Sequence, residues 1–329
     1  MEIIYNNCKA LEFEPLIGFA SKHVQTILPV YLPPGEAPPF TSWIVKLSQT
    51  DSLVCSVSIP PNWKKTDETV VLVHGLGGSD QSTYMIRMAR KLYVKGIKVV
   101  RVNLRGCGLG KGLSKLPCHG GNSDDLLKVL EGCKDQASDS PITLVGFSLG
   151  GNLVLKLSGE LGDKVSCLLK HSIAICPPLD LCQSSQLIRQ KKLWVYHRHY
   201  LTSVFRQSDL WTEKRPSSLY EFDDKVTAPM WGYKGAFEFY QDASCMQFIP
   251  KIKHVTKILL TEDDPFVDCK RVKDLSLPKE VEVFITKKGG HMGFVGTSLK
   301  KDDFYWMDQL LEDWITVEEN SFKNPLACF

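Results

Sequence analysis

A serine flanked by glycines follows a short apolar run, in a pattern that could support nucleophilic chemistry. Residues 142–152 read ITLVGFSLGGN. The apolar run predicts a strand and the residues after Ser148 predict a helix, which is the setting of a G-x-S-x-G nucleophile elbow. Such a turn would aim the serine hydroxyl at a cleft above the sheet, where the new helix also directs free N–H groups. The alternative is a serine in an ordinary glycine turn, and the rest of the chain has to decide between the two.

Two downstream loops supply the residue types that activate a serine. A predicted strand over 255–261 is followed by Asp264, and one over 281–285 is followed by His291 between glycines. The chain order serine, acid, histidine is that of α/β-hydrolases and not that of chymotrypsin or subtilisin. His291 would accept the serine proton and later protonate the leaving group, while Asp264 would hold the required tautomer and stabilise the imidazolium.

Asp263 is the rival acid in the first of these loops. Asp264 is the preferred acid because the run DPFV begins at it, as in the acid loops of α/β-hydrolases. Asp263 is then expected to be a solvated or loop-capping neighbour.

A glycine-rich loop upstream is a candidate for part of an oxyanion hole. The predicted strand that begins at Thr69 runs into HGLGGS over 74–79. In an α/β-hydrolase such a loop gives one backbone N–H of the oxyanion hole, and the residue after the nucleophile gives the other. These donors would belong to Leu76 and Leu149. A glycine turn with no ligand is the alternative.

The elements around these motifs alternate between apolar strands and helical segments. We predict strands over 43–48, 53–59, 69–74, 97–102, 142–147, 166–175, 255–261 and 281–285, and helices over about 83–95, 122–136, 149–160 and 301–316. This alternation predicts an α/β-hydrolase fold with a mostly parallel central sheet flanked by helices. We predict a single domain: a Pro-rich N-terminal arm over 1–41, a core over 42–178 and 251–329, and a helical lid insertion over 179–250.

The segment 186–215 inside the predicted lid is basic and aromatic. It has seven Lys and Arg residues and only two acids, Asp209 and Glu213. Aromatic residues are interleaved with them, namely Trp194, Tyr196, Tyr200, Phe205 and Trp211. Apolar residues at 187, 194 and 201, and at 193, 200 and 204, have helical spacing. One interpretation is a lid whose apolar face covers the cleft; the other is a helix that makes peripheral contact with anionic lipid.

These motifs together resemble the AB hydrolase 4 family, the YheT-like branch of the AB hydrolase superfamily, over nearly the whole length. The segments that carry the resemblance include KHVQTILP over 22–29, HGLGGS over 74–79, NLRGCG over 103–108, GFSLGGN over 146–152, and GGHMGF over 289–294. The first and last are the most discriminating, although the roles of His23 and Gln25 cannot be derived. The resemblance implies a serine carboxylesterase with Ser148, Asp264 and His291, among relatives that act as alcohol acyltransferases or on lipids.

Charge and cysteine content limit the partners, cofactors and cellular setting that the sequence predicts. The net charge of +3 argues against nucleic acid as the main partner. Eleven cysteines, including Cys328, with no signal peptide or long apolar run, predict a reducing, cytoplasmic setting. No spacing predicts a zinc site, so neither a metal nor a cofactor is expected. The tail over 326–329 does not fit prenylation. The sequence does not predict the oligomeric state.

Several histidines and one arginine have structural interpretations. His74 is expected to brace its loop, because His291 already fills the role of the base. Arg105 is expected to hold the loop after its strand. His197 and His199 lie on different faces of a predicted helix, so they are not expected to bind one ligand together.

The predicted function is therefore hydrolysis of a small acyl ester through a covalent acyl-enzyme. The alternatives left open are alcohol O-acyl transfer or lipid acyl hydrolysis with the same triad, a non-catalytic ligand-binding hydrolase fold, and haloperoxidase or lyase chemistry.

Overall fold

A nine-stranded sheet forms the centre of the computed structural model, which describes residues 7–207, 215–297 and 303–316. The strands are β1 (Cys8–Ala10), β2 (Thr41–Lys46), β3 (Ser52–Ser58), β4 (Thr69–Val73), β5 (Lys98–Asn103), β6 (Ile142–Phe147), β7 (His171–Ile175), β8 (Thr256–Thr261) and β9 (Val281–Thr286). Their order is β1-β9-β8-β7-β6-β4-β5-β3-β2. All neighbours are parallel except β5/β3 and β3/β2. The predicted, mostly parallel fold class is confirmed.

Helices cover both faces of the sheet and continue into the segment between β7 and β8. They are α1 (Lys22–Tyr31), α2 (Thr83–Val94), α3 (Asp124–Gln136), α4 (Leu149–Leu161), α5 (Leu181–Ile188), α6 (Trp194–Gln207), α7 (Leu219–Phe222), α8 (Ala228–Met230), α9 (Ala236–Ala243) and α10 (Trp306–Thr316). One core cluster packs α3 and α4 against the sheet, and another packs α2 and α10 against the opposite face. The central strands are buried on both sides, which explains their continuous apolar runs.

Two predicted boundaries were wrong, and one predicted segment contains elements that were not predicted from the sequence. The segment predicted as an arm contains β1, which pairs with β9, and the helix α1. A three-residue strand is too short to show alternation in the sequence. The strand predicted from 166 begins only at His171, after a 3₁₀ turn over Gly162–Cys167. The last helix begins at Trp306 and not at 301.

Within the described ranges, no helix combines the length and the apolar character that crossing a bilayer requires. The predictions for Asp209, Trp211, Glu213 and the tail with Cys328 lie outside the described residues.

Candidate active site

Ser148 lies at the sharp turn between β6 and α4. Its φ of 51° and ψ of −120° are unfavourable for a residue with a side chain. The turn closes tightly: a Cβ on Gly146 would lie 2.3 Å from the Gly150 carbonyl oxygen, and one on Gly150 would lie 2.4 Å from that of Val73. Both glycines are therefore required by the backbone packing that presents the hydroxyl.

His291 connects this serine to a buried carboxylate. Its Nε2 lies 2.8 Å from Ser148 Oγ, and its Nδ1 lies 2.7 Å from Asp264 Oδ2. The side chains of His291 and Asp264 are only 5% and 1% exposed. The other carboxylate oxygen of Asp264 accepts the backbone N–H of Phe266 at 2.7 Å and that of Val267 at 3.1 Å. The carboxylate is thus fixed on one side by the backbone and on the other by the imidazole.

Asp263 makes different contacts from its neighbour. Its carboxylate accepts the backbone N–H of Gly290 at 2.9 Å and the hydroxyl of Thr261 at 2.8 Å. It therefore ties the acid loop to the histidine loop, whereas among these described residues the imidazole bonds Asp264 and not Asp263. This is the loop-capping arrangement expected for the rival acid.

Helix α1 supports the histidine loop from the opposite end of the chain. Thr26 Oγ1 accepts the backbone N–H of His291 at 2.9 Å, and it donates to the Lys22 carbonyl. The Gln25 amide donates to the Val295 carbonyl at 2.8 Å and accepts the Val295 N–H at 2.8 Å. These bonds give a structural role to Gln25, whose function the sequence did not reveal.

The glycines of the histidine loop permit this close packing. A Cβ on Gly293 would lie 2.1 Å from the Gln25 carbonyl oxygen, and one on Gly290 would lie 2.5 Å from that of Lys22. Pro29 has no N–H to bond the Gln25 carbonyl within the helix, which leaves that oxygen facing the loop. His23 adds a contact between its Nδ1 and the Tyr196 hydroxyl at 2.9 Å.

The glycine-rich loop after β4 lies directly against the nucleophile. A Cβ on Gly75 would come within 3.0 Å of the Ser148 Cβ. Leu76 and Leu149, the residues predicted to supply the oxyanion donors, line one cavity with Ser148 and His291. The structure therefore brings all five predicted site residues together.

His74 and Arg105 hold the surrounding loops. His74 Nε2 accepts the backbone N–H of Leu104 at 3.2 Å, and burial lowers the pKa of the imidazole to about 4. The Arg105 guanidinium forms a two-point contact with Asp125, at 2.6 and 2.8 Å, and an ion pair with Asp51. Both residues thus have the bracing roles expected for them.

Cys176 forms, with Asp264 and His291, a group whose ligand atoms lie within 4.8 Å of one another. Burial and the neighbouring carboxylate raise the pKa of this thiol well above its usual range. A protonated thiol is a poor metal ligand, and the imidazole already bonds the carboxylate. The donor set therefore fits a hydrogen-bonded acid and base better than it fits a metal ion.

Two cavities meet at Ser148. One, of about 140 Å³, has a mainly apolar wall that includes Leu181, Ile188 and Phe239. The other, of about 310 Å³, is more polar and is lined by Gln81, Thr83 and the α1 residue Thr26, among others. A substrate bound across the serine would thus meet an apolar environment on one side and a polar one on the other.

Helix α6 covers the glycine-rich loop after β4 with one face. A Cβ on Gly77 would lie 2.7 Å from the Ser203 Cβ, and Tyr200 lines both cavities. The spacing at 187, 194 and 201 does not mark a buried face, because Trp194 is 60% exposed. Leu193 and Tyr196 face the core instead. The exposed Trp194 and Val195 lie beside the exposed Lys191, Lys192 and Arg198.

Comparisons with known proteins agree with this geometry. The family described as "alpha/beta hydrolase fold" matches residues 68–198. "Putative esterase YheT" of Escherichia coli (strain K12) is 28% identical over 321 residues, covering 93% of each chain. "Monoacylglycerol lipase" of Saccharomyces cerevisiae is 25% identical over 68% of this chain and 54% of its own. The structure of Pyrococcus furiosus esterase Pf2001 superposes with a TM-score of 0.56 at 15% identity, over 84% of this chain and 91% of that one.

The sheet order, the elbow at Ser148 and the match over residues 68–198 define the class of the fold: the chain has the α/β-hydrolase fold. The likeness to YheT covers 93% of each chain. Within this fold class, the chain is similar to the YheT-like esterases.

Proposed function

We propose that this chain is a serine carboxylesterase in which Ser148 is the nucleophile, His291 the general base and acid, and Asp264 the residue that orients the imidazole. The observation that carries the proposal is the continuous hydrogen-bonded chain from Ser148 Oγ through His291 to Asp264. The chain hydrolyses carboxylic esters, in agreement with the names of its esterase and lipase relatives.

The reaction begins when Ser148 Oγ attacks the carbonyl carbon of the ester and its proton passes to His291 Nε2. The negative charge that develops on the carbonyl oxygen is stabilised by the backbone N–H groups of Leu76 and Leu149. The bond to the alcohol oxygen then breaks, and His291 protonates the departing alcohol. Water repeats the sequence on the acyl-enzyme, which releases the acid and restores the Ser148 hydroxyl.

The apolar cavity is the proposed acyl pocket. Its volume of about 140 Å³ is close to that of an engineered protein cavity of about 150 Å³ that holds benzene. A group of about six carbons therefore fits this space. We infer that short acyl esters are better substrates than long-chain ones.

The test is hydrolysis of p-nitrophenyl esters from acetate to palmitate by the wild type and by Ser148→Ala. We expect an optimum near hexanoate and loss of this activity in the variant. Product analysis in the presence of a short alcohol distinguishes hydrolysis from alcohol O-acyl transfer, which would yield a new ester. A folded wild type that hydrolyses none of these esters, and that a fluorophosphonate does not label, would refute the proposal.

Contact with anionic lipid through the basic segment is a separate proposal. It is supported by the exposed Trp194 and Val195 beside Lys191, Lys192 and Arg198, a combination typical of interfacial helices. Sedimentation with anionic but not with neutral vesicles is expected, and equal sedimentation would contradict it.

A further inference from the structure

A carboxylate lies in the mainly apolar wall of the proposed acyl pocket. Asp223 lines this cavity, and it also lines a second cavity of about 430 Å³ that Ser148 and His291 do not line. Asp223 therefore lies at the boundary between the two cavities. Asp223 begins a turn of π-helix over Asp223–Thr227 that directly follows α7. Such turns are rare and are frequently found at functional sites.

Among the described residues, the hydrogen-bond partners of this carboxylate are hydroxyl groups and not cations. The Tyr240 hydroxyl donates to Asp223 Oδ2 at 2.6 Å, and the Thr227 hydroxyl is a second neighbour. The Ser185 hydroxyl is buried beside the Tyr240 phenol, without a partner in hydrogen-bond geometry among the described residues. Arg189, which follows α5, stacks on the Tyr220 ring, with 4.5 Å between the guanidinium carbon and the ring centroid. In the described ranges no lysine or arginine forms an ion pair with Asp223.

The physical chemistry of this group is unusual for a pocket wall. Burial raises the pKa of the Asp223 carboxyl to about 6, although the hydroxyl groups oppose this shift. At neutral pH the group is therefore mainly ionised, and it has free acceptor capacity and no paired lysine or arginine among the described residues. A purely apolar ligand would deprive this charge of water, and a ligand that donates a hydrogen bond would compensate it.

We propose that Asp223, together with Tyr240 and Ser185, forms a subsite for a hydrogen-bond donor on the acyl group of the substrate, namely a hydroxyl or an ammonium group at the end of a short chain. The inference rests on the proposed function, because it assumes that this cavity holds the acyl group. It narrows the substrate class from short acyl esters to short hydroxyacyl or aminoacyl esters.

The test compares p-nitrophenyl hexanoate with the 6-hydroxy and 6-amino derivatives, and repeats the comparison for chains of four to eight carbons. In the wild type we expect kcat/KM for a donor-bearing ester to exceed that for its plain counterpart by about tenfold, the effect of one hydrogen bond to a charged group. Asp223→Asn should abolish the preference for the amino ester and retain part of that for the hydroxy ester. It should also hydrolyse the plain ester faster than the wild type does.

Two further variants keep the comparison interpretable. Asp135→Asn removes an exposed carboxylate of α3 and should leave the preference at its wild-type value. Tyr240→Phe keeps the Asp223 carboxylate and removes its internal donor, so it should increase the preference. Equal preference in the wild type and Asp223→Asn at every chain length would overturn the proposal.

A binding measurement separates this inference from the proposed function. Calorimetry with 1-hexanol and 6-amino-1-hexanol needs no turnover, and the amino compound should bind the wild type about tenfold more tightly. Equal affinities would refute the subsite even where esters are hydrolysed. Tighter binding of the amino compound without any hydrolysis would support the subsite while refuting the esterase.

Discussion

The chemistry of the site depends on one residue whose backbone is held in an unfavourable conformation. A non-glycine residue at a φ of 51° costs on the order of 1–3 kcal/mol. The Ser148 N–H donates to the Ile175 carbonyl at 2.8 Å, and its carbonyl accepts the Asn152 N–H at 3.1 Å. The strand on one side and the helix on the other therefore hold the turn that exposes the hydroxyl.

Asp264 and Asp263 are adjacent carboxylates for which we predict different effects. Asp264→Asn should lower kcat by about 10³- to 10⁴-fold, because an amide at this position favours the wrong imidazole tautomer. Asp263→Asn should lower kcat far less, since Asp263 bonds a backbone N–H and a hydroxyl. Steady-state kinetics on a p-nitrophenyl ester measures both.

The matched pair also tests the assignment of the acid. Equal losses of kcat in the two variants, with circular dichroism spectra like that of the wild type, would contradict the role proposed for Asp264.

At the residue scale, local motifs were sufficient to predict that Ser148, Asp264 and His291 come together. Each follows a strand and lies in a short, recognisable loop, so neighbouring residues define its setting. The role of Gln25 was not predictable, because its partner Val295 is 270 positions away. Asp223 was not singled out either, since an acid between an aromatic residue and a second acid resembles an ordinary solvated helix surface.

At the scale of elements, α1 belongs to the active site although it lies far from it in sequence. We predict that Thr26→Val lowers kcat about tenfold with little change in KM. The substitution removes the hydroxyl that accepts the His291 backbone N–H, and the loss of one such hydrogen bond has about this effect. Thr26→Ser retains the hydroxyl and should restore most of the activity. The measurements are kcat, KM and the melting temperature of both variants.

A purely structural role for Thr26 would lower the melting temperature in both variants and leave kcat of the remaining folded enzyme unchanged. That result would exclude a positioning role.

The elements themselves were predictable to different degrees. The strands β4, β6, β8 and β9 matched closely, because each is a continuous apolar run bounded by turn residues. The strand β1 was missed, because the edge position of three partly exposed residues leaves no hydrophobic pattern. Helix α6 was found, but Trp194 faces outward, since spacing alone does not say which of two apolar stripes is buried.

At the scale of the whole molecule, four buried histidines make stability depend on pH. Burial lowers the pKa values of His74, His119, His171 and His254 to about 4. Below about pH 6.5 the unfolded chain binds protons at these positions and the folded protein does not, so stability falls as the pH falls from about 6.5 to 4. The shift at His74 alone corresponds to about 3 kcal/mol.

The expected result is a melting temperature that falls steadily as the pH is lowered from about 6.5 to about 5. Asp223 opposes this loss of stability over the same interval, because its raised pKa lets the folded protein bind a proton before the unfolded chain does. His254→Gln should reduce this slope, and His199→Gln, which alters an exposed histidine, should not. A melting temperature that is constant over this interval would show that the histidines do not control stability there.

The pairing of β1 with β9 joins residues that are far apart in the sequence, such as Cys8 and Val283. During synthesis the ribosome releases the N-terminal segment long before the strand it must pair with exists. Ser148 would emerge next, and the loop that carries His291 would follow later and dock onto the helix α1 that is already present. A nascent chain that has not yet been extended to His291 would therefore carry the proposed nucleophile without its proposed base, and the site would assemble only after the histidine loop has been translated.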